Sequence, residues 1–177
     1  MRSSSELKAA DPARLKTSIG EPQIHRSEIP SPELSRFLYT AVGGPWHWLE
    51  RLPWTWDEWM TWLEAPGVET WYGTVRGTPF GYGELHRAPG GEVELVYFGL
   101  LPRFIGCGLG GWLLTEVVRR AWQSNPRRVW LHTCDLDGPT AIANYTARGF
   151  HVYRTETETR SVPAQPPGPW PGAHQQG

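Results

Sequence analysis

The chain has 177 residues, 39% of them hydrophobic and 20% charged, with a formal net charge of -1, which suits one folded domain. That balance excludes a dedicated nucleic-acid binder, which needs an excess of Lys and Arg against phosphates, and no apolar run approaches the ~18 residues that span a bilayer. With only Cys107 and Cys134 and no apolar leader in MRSSSELKAADPARLK, neither a disulfide framework nor secretion is expected, leaving a reducing cytoplasm as the default location.

Residues 1–20 are polar with no sustained period and read as a flexible N-terminal segment ahead of a domain over 21–159. Ser31 before Pro32 starts a first helix, expected over 32–41, with Leu34, Phe37 and Leu38 as its apolar face and Gly43-Gly44 as its end. Thr55-Trp56-Asp57-Glu58 is a capping box, so a second helix is expected over 56–64, stopping before Pro66-Gly67. This region carries Trp46, Trp48, Trp54, Trp56, Trp59 and Trp62 of the chain's 11 Trp.

VETWYGTVR (68–76), PFGYGELHR (79–87) and EVELVYFGL (92–100) are aromatic and β-branched runs separated by glycine turns, an antiparallel meander. From Leu109 the apolar residues recur at helical spacing until Ser124-Asn125-Pro126. RRVWLHTC (127–134) reads as a strand, Asp137 as the cap of a helix ending at Gly149, and FHVYRTETE (150–158) as a last strand. Strands 92–100 and 127–134, joined through a helix, should lie parallel and adjacent. Residues 160–177 are so rich in Pro and Gly that they read as a disordered tail.

Between the third strand and the long helix lies Leu101-Pro102-Arg103-Phe104-Ile105-Gly106-Cys107-Gly108-Leu109-Gly110-Gly111. Glycines there let backbone N–H groups converge at the positive end of a helix, an anion nest suited to a pyrophosphate; a plain tight turn has the same spacing. A Walker loop is excluded because Gly-Lys-Ser/Thr is missing, and a dinucleotide fingerprint would need a parallel strand at the start of a βαβ unit.

The sequence of strand, bulge-like Gly99, Pro102, glycine turn, amphipathic helix, strand and Ala141-x-x-x-Tyr145-x-x-x-Gly149-Phe150 resembles the GNAT superfamily of acetyl-CoA-dependent N-acetyltransferases. The resemblance spans 68–158 and more loosely 22–158. It implies an α+β fold with a mixed, mostly antiparallel sheet, helices on both faces, and a splayed parallel strand pair at the cofactor site. Aligned by its distance from Pro102, the family's signature, Gln or Arg, two residues, Gly, any residue, Gly or Ala, falls on Ile105 to Gly110, so Ile105 stands where Arg or Gln is usual; a frame starting at Arg103 also fits the expression but shifts the spacing. It implies acetyl-CoA as co-substrate, cradled by Ile105, Gly106, Cys107, Gly108, Leu109, Gly110 and Gly111, with backbone groups of Gly99, Leu100 and Leu101 along the pantetheine arm. No metal is expected, since the cysteines lack paired ligand spacing.

By the same resemblance Tyr145 is the general acid, with a half-buried packing aromatic as the alternative, and Glu94 is the base, drawing the proton through water. Glu94 is equally a solvent-face residue of an alternating strand, and Glu84 and His132 are alternative bases. The first two helices and their loop are implied to cover the acceptor. Trp56, Trp59 and Trp62, three residues apart on a helix, read as a core stripe, whereas the loop residues Trp46, Trp48 and Trp54, with Glu84, are the candidate acceptor-binding groups, because aromatic faces attract ammonium ions. Arg51 is a candidate partner for a carboxylate or phosphate. The reading is acetyl transfer to a primary amine of a small molecule, by a monomer or homodimer; the alternatives are a protein or peptide N-acetyltransferase and a non-catalytic acyl-CoA-binding module.

Overall fold

In a computed structural model of the chain, residues 1–165 are described. A five-stranded sheet runs in chain order: β1 (Pro22–Arg26), β2 (Val68–Val75), β3 (Thr78–Ala88), β4 (Glu92–Leu100) and β5 (Arg128–Leu131). The first three pairings are antiparallel and β4–β5 is parallel. Helices α1 (Pro32–Gly43) and α2 (Trp56–Leu63) precede β2; α3 (Leu109–Trp122) links β4 to β5, and α4 (Ala141–Ala147) follows. The sheet is therefore mixed and mostly antiparallel, as expected.

Alternation along the strands divides the interior. Phe80, Leu85, Val93, Leu95 and Val129 pack against Leu113, Leu114, Val117, Val118 and Ala121 of α3. Tyr82 faces the other way, onto Leu38 and Val42 of α1. The caps form as the sequence implies: Ser31 accepts from the Leu34 N–H, and Thr55 and Glu58 make a reciprocal capping box. Gly149 ends α4 at φ +96°, with the Phe150 N–H returning to the Tyr145 carbonyl. No helix among the described residues is long and apolar enough to cross a membrane.

Four features depart from the sequence reading. β1, a five-residue edge strand led by a proline, carries no clear strand signal; His25 ties it to β2 through Thr74 at 2.8 Å. The β4 bulge is not at Gly99. Glu84 opposes Tyr97 and Leu85 opposes Leu95, so Val96 is the extra residue, and Gly99 is small because Val42 packs there, 2.5 Å from where a Cβ would stand. Asp137 does not cap α4; its carboxylate holds the preceding turn through Thr133 and the Cys134 N–H, and Thr140 is the N-cap. The strand expected over 150–158 is absent: after buried Phe150, residues 151–160 run unpaired, with Val152 and Tyr153 exposed.

The reason lies partly at the other end of the chain. Residues 1–20, expected outside the domain, lie against it in short 3-10 turns. Met1 exchanges both backbone hydrogen bonds with Val129 on the outer edge of β5, where a last strand would pair. The Lys8 N–H then donates to the Arg148 carbonyl, Ala10 to Thr115 Oγ1, and Lys16 to the Cys107 carbonyl. Met1, Leu7, Leu15 and Ile19 join the α3-side core. Their irregular spacing follows from the turns between them and hides them from a search for helical or strand period.

Candidate active site

The parallel pairing of β4 and β5 runs from Glu92 with Arg128 to Leu95 with Leu131 and stops there. β4 continues to Leu100, so its β5-facing edge from Val96 onward has no strand partner, and the two strands part at the bulge. A cleft of this kind exposes unpaired backbone groups to a ligand. Gly99 and Leu100 lie along that edge, whereas the Leu101 N–H is committed to the Phe80 carbonyl at 2.9 Å and does not face the cleft as a free donor.

Glu94 lies at the parting point, on the sheet face opposite the one that Val93 and Leu95 turn toward α3. Its Oε1 is 3.0 Å from His132 Nδ1, just beyond the end of β5. The hydrogen bond that His132 donates to the Glu94 carboxylate raises the His132 pKa against the cost of burial, with further contributions from the charges of Glu94, Asp137 and Glu50. The imidazole thus sits among carboxylates from β4, the loop after β5 and the α1–α2 loop.

Tyr145 reaches the cleft from the other face. Its ring stands edge-on to Phe98 of β4 and to Phe150, both 6.2 Å away between centroids. Burial pushes its phenol pKa up, so the hydroxyl stays protonated well beyond neutral pH. Glu94 and Tyr145 therefore flank the split between β4 and β5 from opposite sides of the sheet.

The glycine turn closes the other end of the cleft. Gly106 and Gly108 have φ +76° and +82°, which only glycine adopts without strain, and Gly108 is the N-cap of α3 with no side-chain cap. Among the described residues no protein acceptor takes a hydrogen bond from the N–H groups of Gly106 through Gly111, including Cys107 and Leu109. Ile105 is 48% exposed and contributes no charge. Free donors at a helix N-terminus fit the phosphates of coenzyme A; Gly106 is open, while the Arg14 carbonyl packs against Gly108 and the Arg148 guanidinium against Gly111. Among the described residues no cluster of His, Cys, Asp or Glu is placed to hold a metal ion.

The tryptophans separate differently from their spacing. Of the helical three, Trp59 alone is fully buried; Trp56 is 55% exposed and donates to Glu33, and Trp62 is half-buried and donates to Glu84 at 3.0 Å. Trp54 lies against Trp59 and Trp62. These three rings and Tyr97 surround the Arg51 guanidinium, at 4.5 to 5.6 Å. Glu84, 1% exposed, holds Arg51 at 2.9 and 3.0 Å. The expectation that Glu84 and Trp54 meet an external amine is corrected here, because the cation between them is Arg51 of the same chain. Trp48 packs on Tyr39, Tyr82 and Tyr97 and approaches Gly99. Trp46 lies against Gly138 and so bridges the α1–α2 loop to the loop before α4.

Residues 30–150 match the model of the acetyltransferase (GNAT) family. The chain belongs to the GNAT family. It is accordingly an N-acetyltransferase. Similar solved structures carry the same fold. An aminoglycoside acetyltransferase, meta-AAC0020 from an uncultured soil metagenomic sample, is 10% identical over 79% of this chain and 95% of its own, with a TM-score of 0.62. GNAT family protein SP0256 from Streptococcus pneumoniae is 18% identical over 80% of this chain and 98% of its own, TM-score 0.58. The aminoglycoside N-acetyltransferase AAC(6')-Iy in complex with CoA is 17% identical over 80% and 95%, TM-score 0.56. No curated protein matches the sequence.

His132 was visible in the sequence only as one of several bases, since nothing local pairs it with Glu94. Arg148 gave no signal there at all; it is a helix-end residue whose surroundings come from α3 and the N-terminal turns.

Proposed function

We propose that this GNAT domain acetylates the primary amine of a small cationic molecule, with acetyl-CoA as donor, Glu94 as base and Tyr145 as acid. The observation that carries the reading is the Glu94–His132 pair at the parting of β4 and β5, in the field of Glu50 and Asp137. Glu94 and Asp137 attract a protonated amine and raise its local concentration, while Glu50 is held by Arg160 at 3.1 Å. Before it can attack, that amine must lose a proton. Glu94, through an intervening water, accepts the proton, and His132, hydrogen-bonded to Glu94 and open to solvent, passes charge to the bulk.

Acetyl-CoA supplies the activated acyl group. Backbone groups of β4 beyond Val96, Gly99 and Leu100 among them, hold and polarise the acyl carbonyl, and the glycine turn from Ile105 to Gly111 fixes the phosphates. Tyr145, kept protonated by burial, returns a proton to the sulfur leaving group. Trp48, on the wall beside Gly99, shapes the acyl end, and Trp46, reaching to Gly138, covers the acceptor. Both aminoglycoside acetyltransferases similar in fold act on amine-bearing small molecules, which agrees with this acceptor class.

Thiol release from acetyl-CoA, measured with a panel of polyamines, aminoglycosides, monoamines and N-terminal peptides, tests the reading. Amine-dependent release with cationic small molecules is expected. Release with peptides alone makes the domain a protein or peptide N-acetyltransferase, and CoA binding without any amine-dependent release makes it an acyl-CoA-binding module.

A further inference from the structure

The glycine turn lacks the cation that the signature would place at Ile105; the structure brings the guanidinium of Arg148 to the start of α3 and the main chain of Arg14 against the turn. Arg148, the C-cap of α4 just before Gly149, lays its guanidinium across the N-terminus of α3; a Cβ on Gly111 would stand 2.5 Å from its Nη1. Its Nε is buried and has no hydrogen-bond partner. Arg14, on the N-terminal segment, follows closely: its carbonyl abuts Gly108, 2.1 Å from where a Cβ would be. Burial first, and then the charge of Arg14, lower the Arg148 pKa.

This arrangement has no internal compensation. Neither Arg14 nor Arg148 is in an ion pair with any described carboxylate. The first turn of α3 carries no acidic residue, and its N-cap makes no side-chain bond. The Arg148 guanidinium thus sits at the positive end of a 14-residue helix, beside N–H groups that have no protein acceptor, with the exposed Arg14 on the adjoining turn. Only an anion with several acceptor oxygens relieves all of these at once, and a guanidinium presents paired donors to such a group.

We propose that Arg148, assisted by Arg14, is the phosphate-binding cation of the cofactor cradle and replaces the side chain missing at Ile105. The inference rests on the coenzyme A reading above. It gives the N-terminal segment a function as one wall of that site and explains why residues 8–16 are bonded to Arg148, Thr115 and Cys107.

Calorimetric titration with CoA and with 3′-dephospho-CoA tests it on the full chain. Arg148→Gln is expected to weaken CoA binding roughly 10–100-fold, Arg14→Gln by less, and Arg148→Lys, which keeps the charge but not the paired donors, by an intermediate amount. A loss confined to CoA assigns the pair to the 3′-phosphate; an equal loss with both ligands assigns it to the pyrophosphate. If Arg148→Gln does not fold, Arg14→Gln, whose residue sits on an exposed turn, carries the test alone. Wild-type affinity in the folded glutamine variants overturns the proposal and leaves the coenzyme A reading standing. A wild-type chain that binds inorganic pyrophosphate but not CoA overturns both.

Discussion

Arg51 and Glu84 form a two-point ion pair at 2.9 and 3.0 Å, sealed beneath Trp54, Trp59, Trp62 and Tyr97. The pair joins the α1–α2 loop to β3 and fixes the aromatic cluster that backs the cleft. Removing one partner strands a buried charge. Glu84→Gln should therefore cost about 3–5 kcal/mol in urea denaturation, while replacing Arg51 and Glu84 together with Met should recover most of the loss. A single variant as stable as the wild type would show that the pair is not sealed from water.

The Glu94–His132 bond makes stability depend on pH. The folded His132 pKa is raised above its ordinary value of 6.5, so the imidazole binds its proton more tightly in the folded state than in the unfolded chain. That contribution is complete below 6.5 and is lost as pH rises through the raised value. An NMR titration should place His132 above 6.5 and, in Glu94→Gln, bring it back toward 6.5. The same variant should lower turnover; unchanged turnover would remove Glu94 from the mechanism.

Tyr145 makes no hydrogen bond through its hydroxyl to any described residue, so Tyr145→Phe should leave stability within about 1 kcal/mol of wild type. As the acid it should matter far more to rate, with turnover falling by about 100-fold or more and CoA affinity retained. Because the phenol pKa is raised, wild-type activity should not decline as pH increases through 9 on account of this residue. A turnover close to wild type in Tyr145→Phe would assign the ring to packing alone.

Gly149 serves the fold twice. At φ +96° it ends α4, and the Glu6 carbonyl lies 2.0 Å from where a Cβ would be. Gly149→Ala should lose at least about 1–2 kcal/mol and release the N-terminal segment, seen as faster trypsin cleavage at Arg14 and Lys16. Unaltered cleavage would mean that the segment is held independently of this contact.

Trp46→Ala should raise the acceptor KM several-fold with little change in stability, because the ring lies half-buried between two loops. Trp48→Ala, by contrast, should destabilise by about 3–5 kcal/mol, since that ring packs against Tyr39, Tyr82 and Tyr97. Steady-state kinetics on the folded variants separates the two.

Local chemistry carried much of the fold. Ser31-Pro32, the Thr55–Glu58 box, the glycine turn and Gly149 are read from adjacent residues, because caps and positive-φ turns depend on a few neighbouring atoms. Period placed α3 and the meander, and motif order brought the family into view. The sequence alone also singled out Glu94, Tyr145 and the turn from Ile105 to Gly111.

Tertiary structure decided what those groups meet. It set the bulge at Val96 and not Gly99, paired Glu94 with His132 across two strands, and closed the Trp-rich cluster on Arg51 and Glu84, which are 33 residues apart. It also laid residues 1–20 along α3 and β5, where Met1 pairs with Val129 on the outer edge of β5. Each of these is a long-range choice of partner. Which charge a buried carboxylate neutralises, or which segment covers a sheet edge, depends on close packing between distant parts of the chain and leaves no period or spacing in the sequence.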